Sequence, residues 1–166
     1  MKENSRIIPR KLSGFMELSP SKQMVFDSMV DKIENVYKKI HDNDIKIFHR
    51  GISGVKSVSI EVNNKYGIFI NHNEIENPDE EFLVVAHEYG HCMTGSTHPL
   101  YSPFDIIIRH EYKADRRAIL DFLPIDKLKE AINYGCKTIF EFSTYLDVPE
   151  AFVVKAFKHY TAMDLI

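Results

Sequence analysis

Residues 77–95, NPDEEFLVVAHEYGHCMTG, carry both the start and the stop of a single helix. Asn77 can cap the first turn through its side-chain oxygen, and Pro78 fits where a backbone N–H would have no helical partner anyway. Asp79, Glu80 and Glu81 complement the positive end of the helix dipole, and Gly95 is a good terminator. Phe82, Val85, Ala86, Tyr89 and Met93 recur at helical spacing and make one apolar stripe, so this helix must pack against another layer.

Beside that stripe the helix spells H-E-x-x-H. At about 100° per residue, His87 and His91 differ by only about 40° around the axis and can aim their imidazoles at one point from successive turns. Zinc binds neutral imidazole nitrogens at about 2.0–2.1 Å, and this spacing supplies two of them. Glu88 sits one step out, displaced from the natural place of a third ligand but within reach of a water at the metal, which is the position for a general base. The pattern is short enough to arise by chance in a chain with eight histidines, so its surroundings must decide.

The surroundings supply a second helix, PFDIIIRHEYKADRRAILDFL, opened by Ser102 and Pro103 and ending before Pro124. Glu111 on it is a candidate third ligand, completing the His₂Glu set of a hydrolytic site with one open position. Asp115, one turn on and on the same face, can accept the second N–H of a ligand histidine and fix its tautomer. Without the upstream motif, Glu111 and Asp115 would read as a solvated acidic pair. Gly90 has two readings: close approach of another segment, or tolerated weakness near a helix end.

The rest of the chain gives the setting. LSPSKQMVFDSMVDKIENVYKKIHDN reads as a first helix, capped by Ser19 or Ser21, with Met24, Val25, Met29, Ile33, Val36, Tyr37 and Ile40 at helical spacing. DIKIFHRGI alternates, with Ile45, Ile47 and His49 on one side. In KSVSIEVNNKYGIFIN, Val58, Ile60 and Val62 alternate with polar neighbours before the turn residues NNKYG and a returning strand GIFIN. DKLKEAINYG reads as a helix from Asp126 to a stop at Gly135, and TIFEFSTYLDVPEAFVVKAFKHYTAM as two helices broken at DVP. These elements predict an α+β fold: a small antiparallel sheet of about three strands, the helix pair, and a helical C-terminal half.

At 166 residues the chain suits one domain, residues 1–166, with a metal core over about 55–125 and C-terminal helices over 126–163. A net charge of −3 argues against nucleic acid as the main partner, because phosphate binding needs a basic face. No stretch approaches a membrane span, and MKENSRIIPRKLSG lacks the apolar region of a signal peptide. Cys92 and Cys136 form no C-x-x-C pair; Cys92 reads as a small buried side chain, with ligand or reactive thiol as its alternatives. The expected setting is cytoplasmic, with reduced thiols.

Together, VVAHEYGHCM and RHEYKADRRAILDFLP resemble the ImmA/IrrE family of metallo-endopeptidases, with the match carried by residues 55 to 125. The arrangement is also similar to that of the gluzincins, whose third ligand is a glutamate on a following helix with an aspartate one turn on. The resemblance implies a zincin-like helix pair with His87, His91 and Glu111 as zinc ligands, Glu88 as catalytic base and Asp115 as the support behind a ligand. It implies a cytoplasmic protein substrate, with a helix-turn-helix transcriptional repressor of a phage or mobile element as the class. CMTGSTH after His91 departs from the leucine-and-histidine run of many members, which bears on the substrate cleft rather than on the metal.

Two other classes stand beside this expectation. One is a zinc-containing docking protein that inactivates a repressor by binding without cleavage. The other is a DNA-binding regulator using YLDVPEAFVVKAFKHY, whose nearly balanced charges favour instead a role in capping the core or docking a protein. His98, Tyr101, Arg109, His110 and Tyr112 are candidates to stabilise an oxyanion, and the residue pattern does not choose among them. His41, His49, His72 and His159 read as structural or exposed. The ligand types suit zinc, and also manganese, iron or cobalt.

Overall fold

A computed structural model of the chain describes residues 32–50, 54–97 and 104–166. Helix α1 (32–42) is followed by strands β1 (Lys46–His49), β2 (Ser57–Val62) and β3 (Lys65–Ile70). Helices α2 (Pro78–Thr94), α3 (Phe104–Phe122), α4 (Ile125–Tyr134), α5 (Ile139–Leu146) and α6 (Glu150–Thr161) complete the chain. The fold is α+β, as the patterning predicts. Ser19, Ser21, Met24, Val25, Met29, Ser102 and Pro103 lie outside the described residues.

The sheet departs from expectation in one respect. Its order is β1-β3-β2; β2 pairs antiparallel with β3, but β1 pairs parallel with it, so the sheet is mixed rather than antiparallel. The cause is local. Asn63 and Asn64 both take positive φ (52° and 59°), as a two-residue hairpin turn requires, and this tight turn lays β3 directly against β2. β1 pairs with the far edge of β3.

The alternation over β2 is kept, but its apolar set faces away from α2. Ile60 and Val62 are exposed, while Ser59 is buried opposite Ile68 of β3. Phe48 stacks on Phe69 on that same outer face, with ring centroids 4.7 Å apart. On the inner face, Ile68 and Ile70 join Val36 and Ile40 of α1 in a core that takes in Phe82, Val85, Ala86 and Tyr89 from α2.

α2 forms as its sequence dictates. Asn77 Oδ1 accepts from Glu80 N at 2.9 Å, Pro78 opens the first turn, and Gly95 ends the helix in the left-handed region at φ 59°. Phe82 sits edge-to-face with both Phe122 of α3 and Phe152 of α6, tying the helical half to the sheet side. α4 begins at Ile125 and stops at Gly135, whose φ is 108°. Thr138 and Glu141 form a capping box at the start of α5, and Asp147 at φ 53° ends it, so the break at DVP is real. Among the described residues, no helix is long and apolar enough to cross a membrane.

Candidate metal centre

The site is built where α2 and α3 touch. A polar clasp helps to hold the pair together: Tyr89 Oη donates to Asp121 Oδ2 at 2.7 Å, and Arg117 Nε donates to the same oxygen at 2.7 Å. Both helices thereby present fixed faces to the space between them. Among the described residues, His87, His91 and Glu111 are the group of three that could hold a metal ion, with candidate ligand atoms all within 4.8 Å of one another.

The hydrogen bonds behind the histidines settle their tautomers. His87 Nδ1 lies 2.9 Å from Asp115 Oδ1, and a carboxylate oxygen only accepts, so Nδ1 carries the proton. His91 Nδ1 lies 3.0 Å from the Ser96 carbonyl oxygen, which also only accepts. In the neutral imidazoles both Nε2 atoms therefore present lone pairs. These two atoms stand 3.0 Å apart, with the Glu111 carboxylate 3.0 Å from His87 Nε2 and 3.4 Å from His91 Nε2. Three electron-pair donors crowded in this way repel one another unless a cation lies among them.

The spacing suits a metal. Tetrahedral bonds of about 2.0–2.1 Å place neighbouring donor atoms about 3.3–3.4 Å apart, close to the separations seen here. The rings stand nearly perpendicular, at 88°, so each nitrogen approaches the common point from its own direction. Two imidazole nitrogens, each ring backed by a hydrogen bond from its Nδ1, form with a carboxylate a donor set that fits a divalent ion.

Electrostatics follow from the same contacts. Burial alone would lower His87, but its hydrogen bond to Asp115 and the charges of Asp115, Glu111 and Glu88 carry it above its ordinary value. His91 is held below its ordinary value by burial and then by His87 beside it. Asp115 would be raised by burial, yet its hydrogen bonds with His87 and Lys155 bring it down to about 2. The thiol of Cys92 is buried and pushed up to about 12, first by desolvation and then by Glu88, which makes it an inert packing group.

Glu88 is 8% exposed, and its Oε1 accepts from Ser57 Oγ of β2 at 2.7 Å. The strand thus fixes the carboxylate through Ser57. Three supporting residues went unforeseen in the sequence: Ser57 behind Glu88, Ser96 behind His91, and Lys155, whose Nζ is 2.9 Å from Asp115 Oδ1. Ser96 had a signal, since a residue just past a left-handed glycine cap is folded back onto the last turn. Ser57 and Lys155 come from other elements and had none.

Gly90 is resolved in favour of close approach, described below. Of the oxyanion candidates, Arg109 and Tyr112 lie exposed on α3, with the Tyr112 ring 6.3 Å from that of His159, and His110 is half-buried on the same helix. His98 and Tyr101 lie outside the described residues. His49 and His72, read as structural or exposed, form a stacked pair with Nδ1 and Nε2 2.7 Å apart. No family model, curated protein or solved structure matches the chain.

Proposed function

We propose that this chain is a zinc-dependent metallo-endopeptidase of the ImmA/IrrE type, acting in the cytoplasm on a protein substrate, a helix-turn-helix repressor being the class the resemblance implies. One observation carries the reading. In the neutral rings both Nδ1 protons are spent on fixed acceptors, so the two Nε2 lone pairs and the Glu111 carboxylate converge on one place. His87, His91 and Glu111 would hold the ion, and Asp115 and Ser96 would keep the two rings oriented.

Bound there, zinc supplies a Lewis acid that polarises a carbonyl and makes water more acidic. Glu88 would take a proton from the attacking water and return it to the leaving amine. The hydroxyl of Ser57 holds the carboxylate in one orientation and leaves its second oxygen for that proton. Among the described residues β2 is an edge strand in the order β1-β3-β2, so an extended peptide laid along it would pass beside Glu88.

The test is co-expression with repressors encoded beside the gene, followed by intact-mass analysis, for the parent and for Glu88→Gln. Two fragments whose masses sum to the substrate plus one water, seen with the parent alone, support peptidase action. Relief of repression with an intact repressor would favour the docking protein instead.

A further inference from the structure

We propose that Lys155 of α6 is a positioning residue for the metal centre, coupling the docking of the C-terminal helix to the orientation of His87 through Asp115. The inference rests on the metal-binding reading above. Asp115 Oδ1 accepts two hydrogen bonds of 2.9 Å, one from His87 Nδ1 on α2 and one from Lys155 Nζ on α6. An aspartate on a helix surface has rotatable bonds and water to turn towards. Two donors from two other elements, meeting at one oxygen, hold it in a single pose.

The element that delivers the ammonium is itself rigidly placed. Val153 and Ala156 are fully buried, Phe152 sits edge-to-face on Phe82 of α2, and Tyr160 Oη donates to the Leu123 carbonyl at 2.8 Å. Lys155 lies on the border of that buried face, its side chain 46% exposed, yet its charged end is held on the Asp115 carboxylate. Charge gives a second reason for the contact. Glu88, Glu111 and Asp115 bring three carboxylates to the site; a divalent ion balances two of them, and Lys155 balances the third. By linkage, whatever favours docking of α6 favours the metal-ready pose of His87, and bound metal favours docking in return.

The experiment uses the full chain and zinc alone, with affinity read by chelator competition and α6 docking read by amide hydrogen exchange. Lys155→Met should weaken zinc binding about 10-fold, at the lower end for loss of a group behind a ligand, and Lys155→Arg should restore most of it. Zinc should slow exchange over α6 in the parent and no longer do so in Lys155→Met. In an Asp115→Asn background, Lys155→Met should cost nothing further, because Lys155 acts through that carboxylate. Zinc affinity in Lys155→Met equal to or tighter than the parent's overturns the proposal, as does an equal loss in Lys155→Arg or full additivity with Asp115→Asn. His87→Ala in parallel separates the two readings: if it loses zinc while Lys155→Met does not, only the role of Lys155 falls, and if it keeps zinc the metal site itself is wrong.

Discussion

A β-carbon added to Gly90 would stand 2.1 Å from the carbonyl oxygen of Ala114 and 2.7 Å from its carbonyl carbon. α2 and α3 are therefore in backbone contact one residue before His91 and one before Asp115. The candidate ligands reach a common point because the helices are this close. Any larger residue at position 90 must push apart the two elements that carry them.

Gly90→Ala is accordingly expected to destabilise the protein. Alanine gains about 1 kcal/mol in helix propensity over glycine, but forcing backbone apart at a packed contact typically costs about 1–3 kcal/mol or more. The clash is with main chain, which cannot rotate away, so the loss should outweigh the gain. Chemical denaturation measures this directly, and a raised unfolding midpoint would show that the contact is not limiting.

Metal content tests the donor set. The purified chain is expected to bind about one zinc, and the double variant His87→Ala/His91→Ala to lose most of it, since two of three protein ligands are gone. Elemental analysis after dialysis gives the stoichiometry. Full retention of zinc in the double variant would place the metal elsewhere.

Asp115→Ala should leave the fold intact and weaken zinc affinity or activity about 10–100-fold, the usual size of such a loss behind a ligand. The His87 ring would then be free to turn and to exchange tautomers. Unchanged affinity together with unchanged activity would return Asp115 to the solvated surface acids.

Acid unfolding of the metal-free chain offers a check on the same residue. Asp115 lies well below its ordinary value of 3.8, at about 2, so the folded state favours its ionised form. Its contribution is fully present above about pH 4 and is lost as pH falls towards 2. The stability difference between the parent and Asp115→Asn should shrink across that window. A constant difference from pH 5 to pH 2 would contradict the assignment.

Glu88→Gln separates catalysis from docking. Glutamine keeps the shape and can still receive the Ser57 hydrogen bond, so zinc and partner should bind as before. Its amide cannot take a proton from water, and turnover should fall by at least about 10²–10⁴-fold. A variant that cleaves as fast as the parent would remove Glu88 from the mechanism.

What could be read from the chain, and what could not, divides along sequence distance. His87, Glu88 and His91 are related by helical geometry alone, and Glu111 and Asp115 by one further turn of the next helix, so their spacing carried the arrangement. The helix ends were equally local: Asn77, Gly95, Gly135 and the DVP break each act within a few residues. Strand order was not local. Whether Lys46–His49 lies beside β2 or beside β3 depends on pairing across the hairpin, and alternation is the same in both cases. The inward face of β2 was equally silent, because an inward serine that serves Glu88 looks like a solvent-facing one. Gly90 could be decided only once Ala114 was in view.

His87, Glu88, His91, Glu111 and Asp115 all lie on the α2–α3 hairpin, so bringing them together closes one short loop and costs little chain entropy beyond folding the hairpin itself. Ser57 lies 31 residues before Glu88 and Lys155 lies 40 after Asp115, and each meets a supporting carboxylate rather than a ligand. In synthesis order, the three candidate ligands and Ser57 are all made before α6 exists. A growing chain that has completed α3 already carries all three candidate ligands, and the lysine that steadies Asp115 reaches it only once α6 has been made.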